Sequence, residues 1–204
     1  MARKYDSSRR KQAAAETRRK ILEAALKLHW EGITEFAPLA EEADCSLPTL
    51  RKYYPTKESL FRDCTRTFAE SLDLPDLEAI AQLPHPEQRL EQGIAELCRI
   101  HEAMFGYAWH SGFARRDSPT LDAEMQAYEG LADAVTDLLA GPTPAKRPAL
   151  RGLLDYLTYR AFRLSGDLSA EEVRLQLITL ARLHLEDDAR PSATNKKEPD
   201  HDHQ

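Results

Sequence analysis

Residues 34–60 read TEFAPLAEEADCSLPTLRKYYPTKESL. Phe36, Leu39, Ala40 and Ala43 recur at helical spacing, as do Leu47, Leu50 and Tyr54, with a break between them at Asp44-Cys45-Ser46. Two helices joined this tightly must cross steeply. Such a crossing needs a small residue where the backbones meet, which Ala40 supplies, and a turn residue tolerant of positive φ, which Asp44 can be. Ser46 is placed to cap the second helix, with Pro48 in its first turn where a missing N–H costs little. Thr56 is placed to cap a third.

Packing does not need Thr49, Arg51, Lys52 and Tyr53, so they form a polar, basic face on an element short enough to lie in a major groove. Lys57 adds a cation at a helix N-terminus, where the dipole already favours anions, as a phosphate contact requires. Ile21-Leu22-Glu23-Ala24-Ala25, Gly32, Leu39-Ala40, Cys45-Ser46, Thr49-Leu50, Tyr53-Tyr54 and Lys57-Glu58-Ser59-Leu60 together resemble the DNA-binding domain of the tetracycline-repressor (TetR) family of bacterial regulators. The resemblance covers the first third of the chain. It departs at Asp44 and Pro48, where the family usually has Gly, at Arg51, where it usually has Tyr, and in a short Gly32–Leu39 segment. The family's Tyr touches a phosphate; Arg51 can do the same or read guanine bidentately. The expected DNA-facing set is Arg18, Thr34, Ser46, Leu47, Thr49, Arg51, Lys52, Tyr53 and Lys57.

At 204 residues the chain has ample length for a core, and its 42% hydrophobic and 30% charged content fits a globular protein. No apolar run is long enough to span a membrane, and the basic N-terminus lacks a signal peptide's apolar centre, so a cytoplasmic location is expected. Cys45, Cys64 and Cys98 are odd in number and widely spaced, which argues against a disulfide framework or a zinc site. They are expected as small packing residues, with a thiol switch at Cys45 as the one alternative. Net charge is −6, which does not suit a nucleic-acid binder until it is divided. Through Arg66 there are 14 Lys and Arg against 10 Asp and Glu, and beyond it 14 against 24. A basic head on an acidic body follows, and phosphate attraction needs only the head, since screening acts over roughly 8–10 Å.

An all-α fold is expected, with a basic flexible arm (1–15), a three-helix helix-turn-helix domain (16–62), a helical effector-binding and dimerisation domain (63–186) and a disordered tail (187–204). The first helix is expected from about Ala14 to Trp30, and the helix from Thr56 to Leu72 runs from head into body. A short piece follows over 76–82. A longer helix starts at Glu87, and an aromatic segment, MFGYAWHSGF (104–113), is interrupted by Gly106 and Gly112. Ser118-Pro119 opens another helix that ends at Gly141-Pro142. The last two, 145–165 and 170–186, carry apolar residues on more than one face. That surplus predicts pairing with a second copy as a four-helix bundle through Leu153, Leu157, Leu164, Val173, Leu177, Leu180 and His184.

The aromatic and Met-rich middle suits an apolar pocket in a bundle, with Phe68, His101, Phe105, Trp109, His110, Phe113, Met125 and Tyr128 as lining. Family resemblance implies a small-molecule effector there. The expected function is a ligand-responsive, homodimeric transcriptional regulator, a repressor, bound to palindromic double-stranded DNA, with no cofactor or metal. The alternatives are a helical protein that has lost DNA binding and acts as an adaptor or small-molecule binder, and an enzyme using His101, His110, Asp117 or Glu124. The enzyme reading has residue types but no nucleophile motif or ligand spacing behind it.

Overall fold

The structure, a computed structural model, describes residues 7–186, and among these every regular element is helical. In order they are α1 (Ser7–Trp30), α2 (Phe36–Glu42), α3 (Leu47–Tyr53), α4 (Lys57–Ser71), α5 (Leu77–Ala81), α6 (Pro86–Ala103), α7 (Phe105–Ala114), α8 (Pro119–Ala140), α9 (Arg147–Leu153), α10 (Tyr156–Leu164) and α11 (Ala170–Glu186). Single 3-10 turns precede α8 and α9. No helix among the described residues is long and apolar enough to cross a membrane.

Helices α1–α4 enclose one core, in which Ile21, Ala25, Leu39, Ala40, Leu50, Tyr54, Leu60 and Cys64 are buried. Most of the body is a second core of α6, α8, α9, α10 and α11, built on Ile94, Leu97, Val135, Leu150, Leu154, Tyr159, Val173 and Leu177. Ile100, Met104, Ala108, Met125, Tyr128 and Tyr156 form a third cluster, with Phe68 and Leu72 packed against it. Helix α4 therefore belongs to both halves: Leu60 and Cys64 fill the head, and Phe68 and Leu72 reach the body.

Four expectations change. Residues 7–15 are not a flexible arm but the first turns of α1. Arg9, Arg10, Lys11, Gln12 and the three alanines that follow are strong helix formers, and Thr17 bonds back to the Ala13 carbonyl at 2.9 Å. Residues 1–6 and the tail 187–204 lie outside the described residues. The helix expected over 145–165 is two helices. Leu154 ends α9, and Asp155 in extended conformation caps α10, accepting from the Leu157 amide at 2.8 Å. In the aromatic segment the break falls at Met104, and Gly106 and Gly112 both lie inside α7.

Gly106 is there for approach, not for bending. A Cβ at that position would stand 2.5 Å from the Trp30 carbonyl oxygen, whereas one at Gly112 would meet nothing within 4 Å. Lastly, Val173 and Leu177, expected at a dimer face, are buried in the chain's own core. Two faces of α11 are apolar because one is spent on α6, α9 and α10. Leu153 also packs against that core, and the His184 ring nitrogen Nε2 lies 3.0 Å from the Lys146 carbonyl. The outward apolar face is instead Leu157, Ala161 and Leu164 on α10, with Leu175, Leu180 and Leu183 on α11.

Gly106→Ala should destabilise the protein by about 1–3 kcal/mol in urea denaturation, because the α1–α7 contact must open. Gly112→Ala in the same helix should be neutral or stabilising by up to about 1 kcal/mol, because only helix propensity changes.

Candidate nucleic-acid interface and body cavities

The α2–α3 turn closes as its residues dictate. Asp44 takes the left-handed conformation at φ 51°, and the Cys45 amide bonds the Ala40 carbonyl at 2.9 Å. The Ser46 hydroxyl accepts from the Thr49 amide at 3.3 Å and lies 2.8 Å from the Thr49 hydroxyl. Thr56 and Ser59 form a reciprocal cap at the start of α4. Leu50 and Tyr54 anchor α3 inward, and Leu47, Thr49 and Tyr53 are half-buried. Arg51 and Lys52 are left exposed, without an ion pair to any described residue.

Behind α3 lies a charged network that the sequence reading did not find. Asp63 is buried on α4. One carboxylate oxygen takes the Tyr54 hydroxyl at 3.1 Å and the Arg18 guanidinium, and the other takes Arg66 at 2.9 Å. Arg18 Nε also donates to the Tyr54 oxygen at 3.2 Å. Arg18, expected at DNA, is therefore first a brace, with its charge already answered by Asp63. Lys57 is likewise tethered, donating to the Thr34 hydroxyl at 3.1 Å with Glu35 at 3.6 Å. Thr34 thus touches Lys57 rather than standing alone.

Besides the Gly106–Trp30 approach, specific contacts join head to body at Tyr107, Gly32 and Glu58. The Tyr107 hydroxyl donates to the Leu26 carbonyl at 2.7 Å, its ring packing on Trp30 and Phe68. A Cβ on Gly32, at φ 82°, would collide with the His110 ring. Glu58, on the first turn of α4, reaches the N-terminus of α8. There it accepts from the Ser118 hydroxyl at 2.6 Å, the Thr120 amide at 2.9 Å and the Thr120 hydroxyl. These hydrogen bonds hold its carboxyl below the usual range, as a carboxylate at a helix N-terminus should be. A Glu with Ser-x-Thr at a distant helix start leaves no spacing signal in a single sequence.

The expected ligand residues do not converge on one cavity. A space of about 330 Å³ between α1, α4, α7 and α8 takes Phe68, His110 and Phe113. A second, of about 370 Å³, takes His101, Trp109, Phe113, Met125 and Tyr128. A larger groove of about 820 Å³ between α4, α6 and α8 takes Phe68 and Tyr128 together with Leu72, Met104 and Leu131. Phe105 turns instead into packing with Tyr156 and Tyr159. His101 is fixed by Tyr128 and by the Leu154 carbonyl at 3.1 Å, and burial pushes its ring down to about 4, so it is neutral.

One buried ring nitrogen and one half-buried carboxylate have no partner among the described residues. The His29 Nε2 has none, and burial together with Lys57 lowers the ring to about 4. Glu124 borders both the 330 Å³ space and the groove without a hydrogen bond or ion pair, and burial raises it to about 7. Of the groups offered for catalysis, His110 and Glu124 border the same 330 Å³ space, whereas His101 lines a different cavity and Asp117 is exposed on the turn before α8. No group of three metal-ligating side chains forms among the described residues. Burial and Asp44 raise the Cys45 thiol, which disfavours the reactive thiolate that a switch there would need.

No protein-family model matches the chain, and no curated protein does. Among solved structures, the chain is similar to a TetR transcriptional regulator from Rhodococcus sp. RHA1. The two are 19% identical, with a TM-score of 0.45, over 85% of this chain and 97% of that one.

Burial by itself would push the Asp63 carboxyl up. The hydrogen bonds from Arg18 and Tyr54 and the charges of Arg18 and Arg66 overcome this and hold it below its ordinary 3.8. A depressed folded-state value gives stability that is present above the unfolded value and lost as pH falls through the folded one. Asp63→Asn should therefore cost about 1–3 kcal/mol at pH 7. It should also flatten the pH dependence of urea stability from roughly pH 4 downward, relative to the unaltered chain.

Proposed function

We propose that the chain is a homodimeric, ligand-responsive transcriptional regulator of the TetR kind, a repressor that holds a palindromic operator. The observation that carries the reading is the outward face of α3. Arg18 and Arg66, behind this short helix, are both paired with Asp63, whereas Arg51 and Lys52 stand exposed side by side on its outer face with no carboxylate partner among the described residues. Uncompensated cations on a helix that is rigidly capped and anchored from behind suit phosphates and base edges. The departure at Arg51 favours guanine contact at one position of each half-site.

In this reading the exposed leucines of α10 and α11 pair with the same helices of a second copy. That places two α3 helices in successive major grooves, roughly 34–36 Å apart. Helix α4 forms part of both the head core and the groove wall, and its Glu58 grips α8. A ligand in the groove would move α4 against α8 and so change the half-site spacing. DNA and ligand affinities are then coupled reciprocally.

Binding to an operator selected from random duplex DNA should weaken linearly with log salt concentration. Arg51→Ala should flatten that slope by about 2 per dimer, one phosphate or base contact per subunit. Lys57→Ala should flatten it less, because Lys57 already shares its charge with Glu35. A selection that enriches no palindrome, or slopes that neither substitution changes, would remove the proposal.

A further inference from the structure

Glu124 is the one carboxylate lining the 330 Å³ space, and it also borders the 820 Å³ groove. Thr65 and Phe68 share that position, so the two spaces meet along one seam between α4 and α8. No described residue donates to Glu124, and burial is the sole cause of its raised pKa. A half-buried carboxylate with no cation beside it is partly desolvated in its charged form, and its neighbours explain what would relieve that.

On the side of the smaller space those neighbours include Phe68, Tyr107 and Phe61, whose ring faces favour positive charge. The two histidines there, His29 and His110, are both lowered by burial, and no Arg or Lys lines that space. On the groove side Arg66 is engaged by Asp63, and Arg62 stands near Glu58 at the exposed rim. The groove itself is mostly apolar and large enough for a drug-sized chain or ring system, since ligand pockets run to about 300–1,000 Å³.

We propose that the molecule taken up by the body is an amphiphilic organic cation, its ammonium group against Glu124 among the aromatic rings and its apolar part lying in the α4–α6–α8 groove. The inference deepens the regulator reading by naming the chemistry of its effector. The site stands between α4 and α8, the pair that Glu58 also joins, so the same molecule would act on the head.

The test uses no DNA. The full chain is titrated calorimetrically with three ten-carbon probes below their micelle concentrations: decyltrimethylammonium, decan-1-ol and decanoate. The cation should bind at least about tenfold tighter than either of the others. Glu124→Gln, which keeps shape and removes the charge, should abolish that preference while leaving the affinity for decan-1-ol within about twofold. Equal affinity for cation and alcohol, preference for decanoate, no binding of any probe, or a preference that survives Glu124→Gln overturns the inference. If Glu124→Gln fails to fold, the comparison of probes on the unaltered chain decides alone. Cation selection without operator binding would leave this site standing and remove the regulator reading. Operator binding without cation selection would do the reverse.

Discussion

A single buried carboxylate sets the geometry of the head. Asp63 sits where a carboxylate would be costly to leave alone, and three elements reach in to answer it: Arg18 from α1, Tyr54 from the end of α3, and Arg66 from its own helix. Apolar packing by Leu39, Leu50 and Leu60 would gather these helices, but apolar contacts are non-directional and would tolerate small rotations. A charged network tolerates few, because each misplacement strands a donor or a charge. The rotation of α3 about its own axis decides whether Arg51 and Lys52 look outward, and Tyr54 at its end is pinned by this network.

The body imposes itself on that head through close contacts rather than a linker. Tyr107 bonds the α1 backbone, Gly106 lets Trp30 come against α7, and Glu58 caps α8 from outside. Helix α4 carries the connection, being core in the head and cavity wall in the body. A change of occupancy beside Phe68 is thereby a change at the foundation of α3, with no flexible joint between to absorb it.

Much of this could be read from residue order. Asp44 at positive φ, the Ser46 cap with Pro48, the Thr56 cap, Gly32 past the end of α1 and the Ser118-Pro119 start all follow from local chemistry, and the structure has each of them. The failures have a common cause in tertiary context. Periodicity shows that α11 has two apolar faces but not which one the chain's own core takes, and the core takes Val173 and Leu177 while Leu175, Leu180 and Leu183 stay exposed. A glycine pair suggested irregular backbone at Trp109 and His110, where Gly106 instead serves close approach to Trp30. Asp155 was legible as a cap only in hindsight, because the apolar pattern of 150–164 continues across it. Asp63, Glu58 and the seam position of Glu124 depend on partners far away in the chain, which spacing cannot reveal.

The Ser118 hydroxyl has two duties. It accepts from the Leu121 amide at 3.2 Å, closing the first turn of α8, and it gives its proton to Glu58 at 2.6 Å. A hydroxyl that donates on one side becomes a better acceptor on the other, so each bond reinforces its neighbour. Fraying of the first turn of α8 and loosening of the Glu58 grip are for that reason coupled, and this one attachment of head to body holds or fails as a unit.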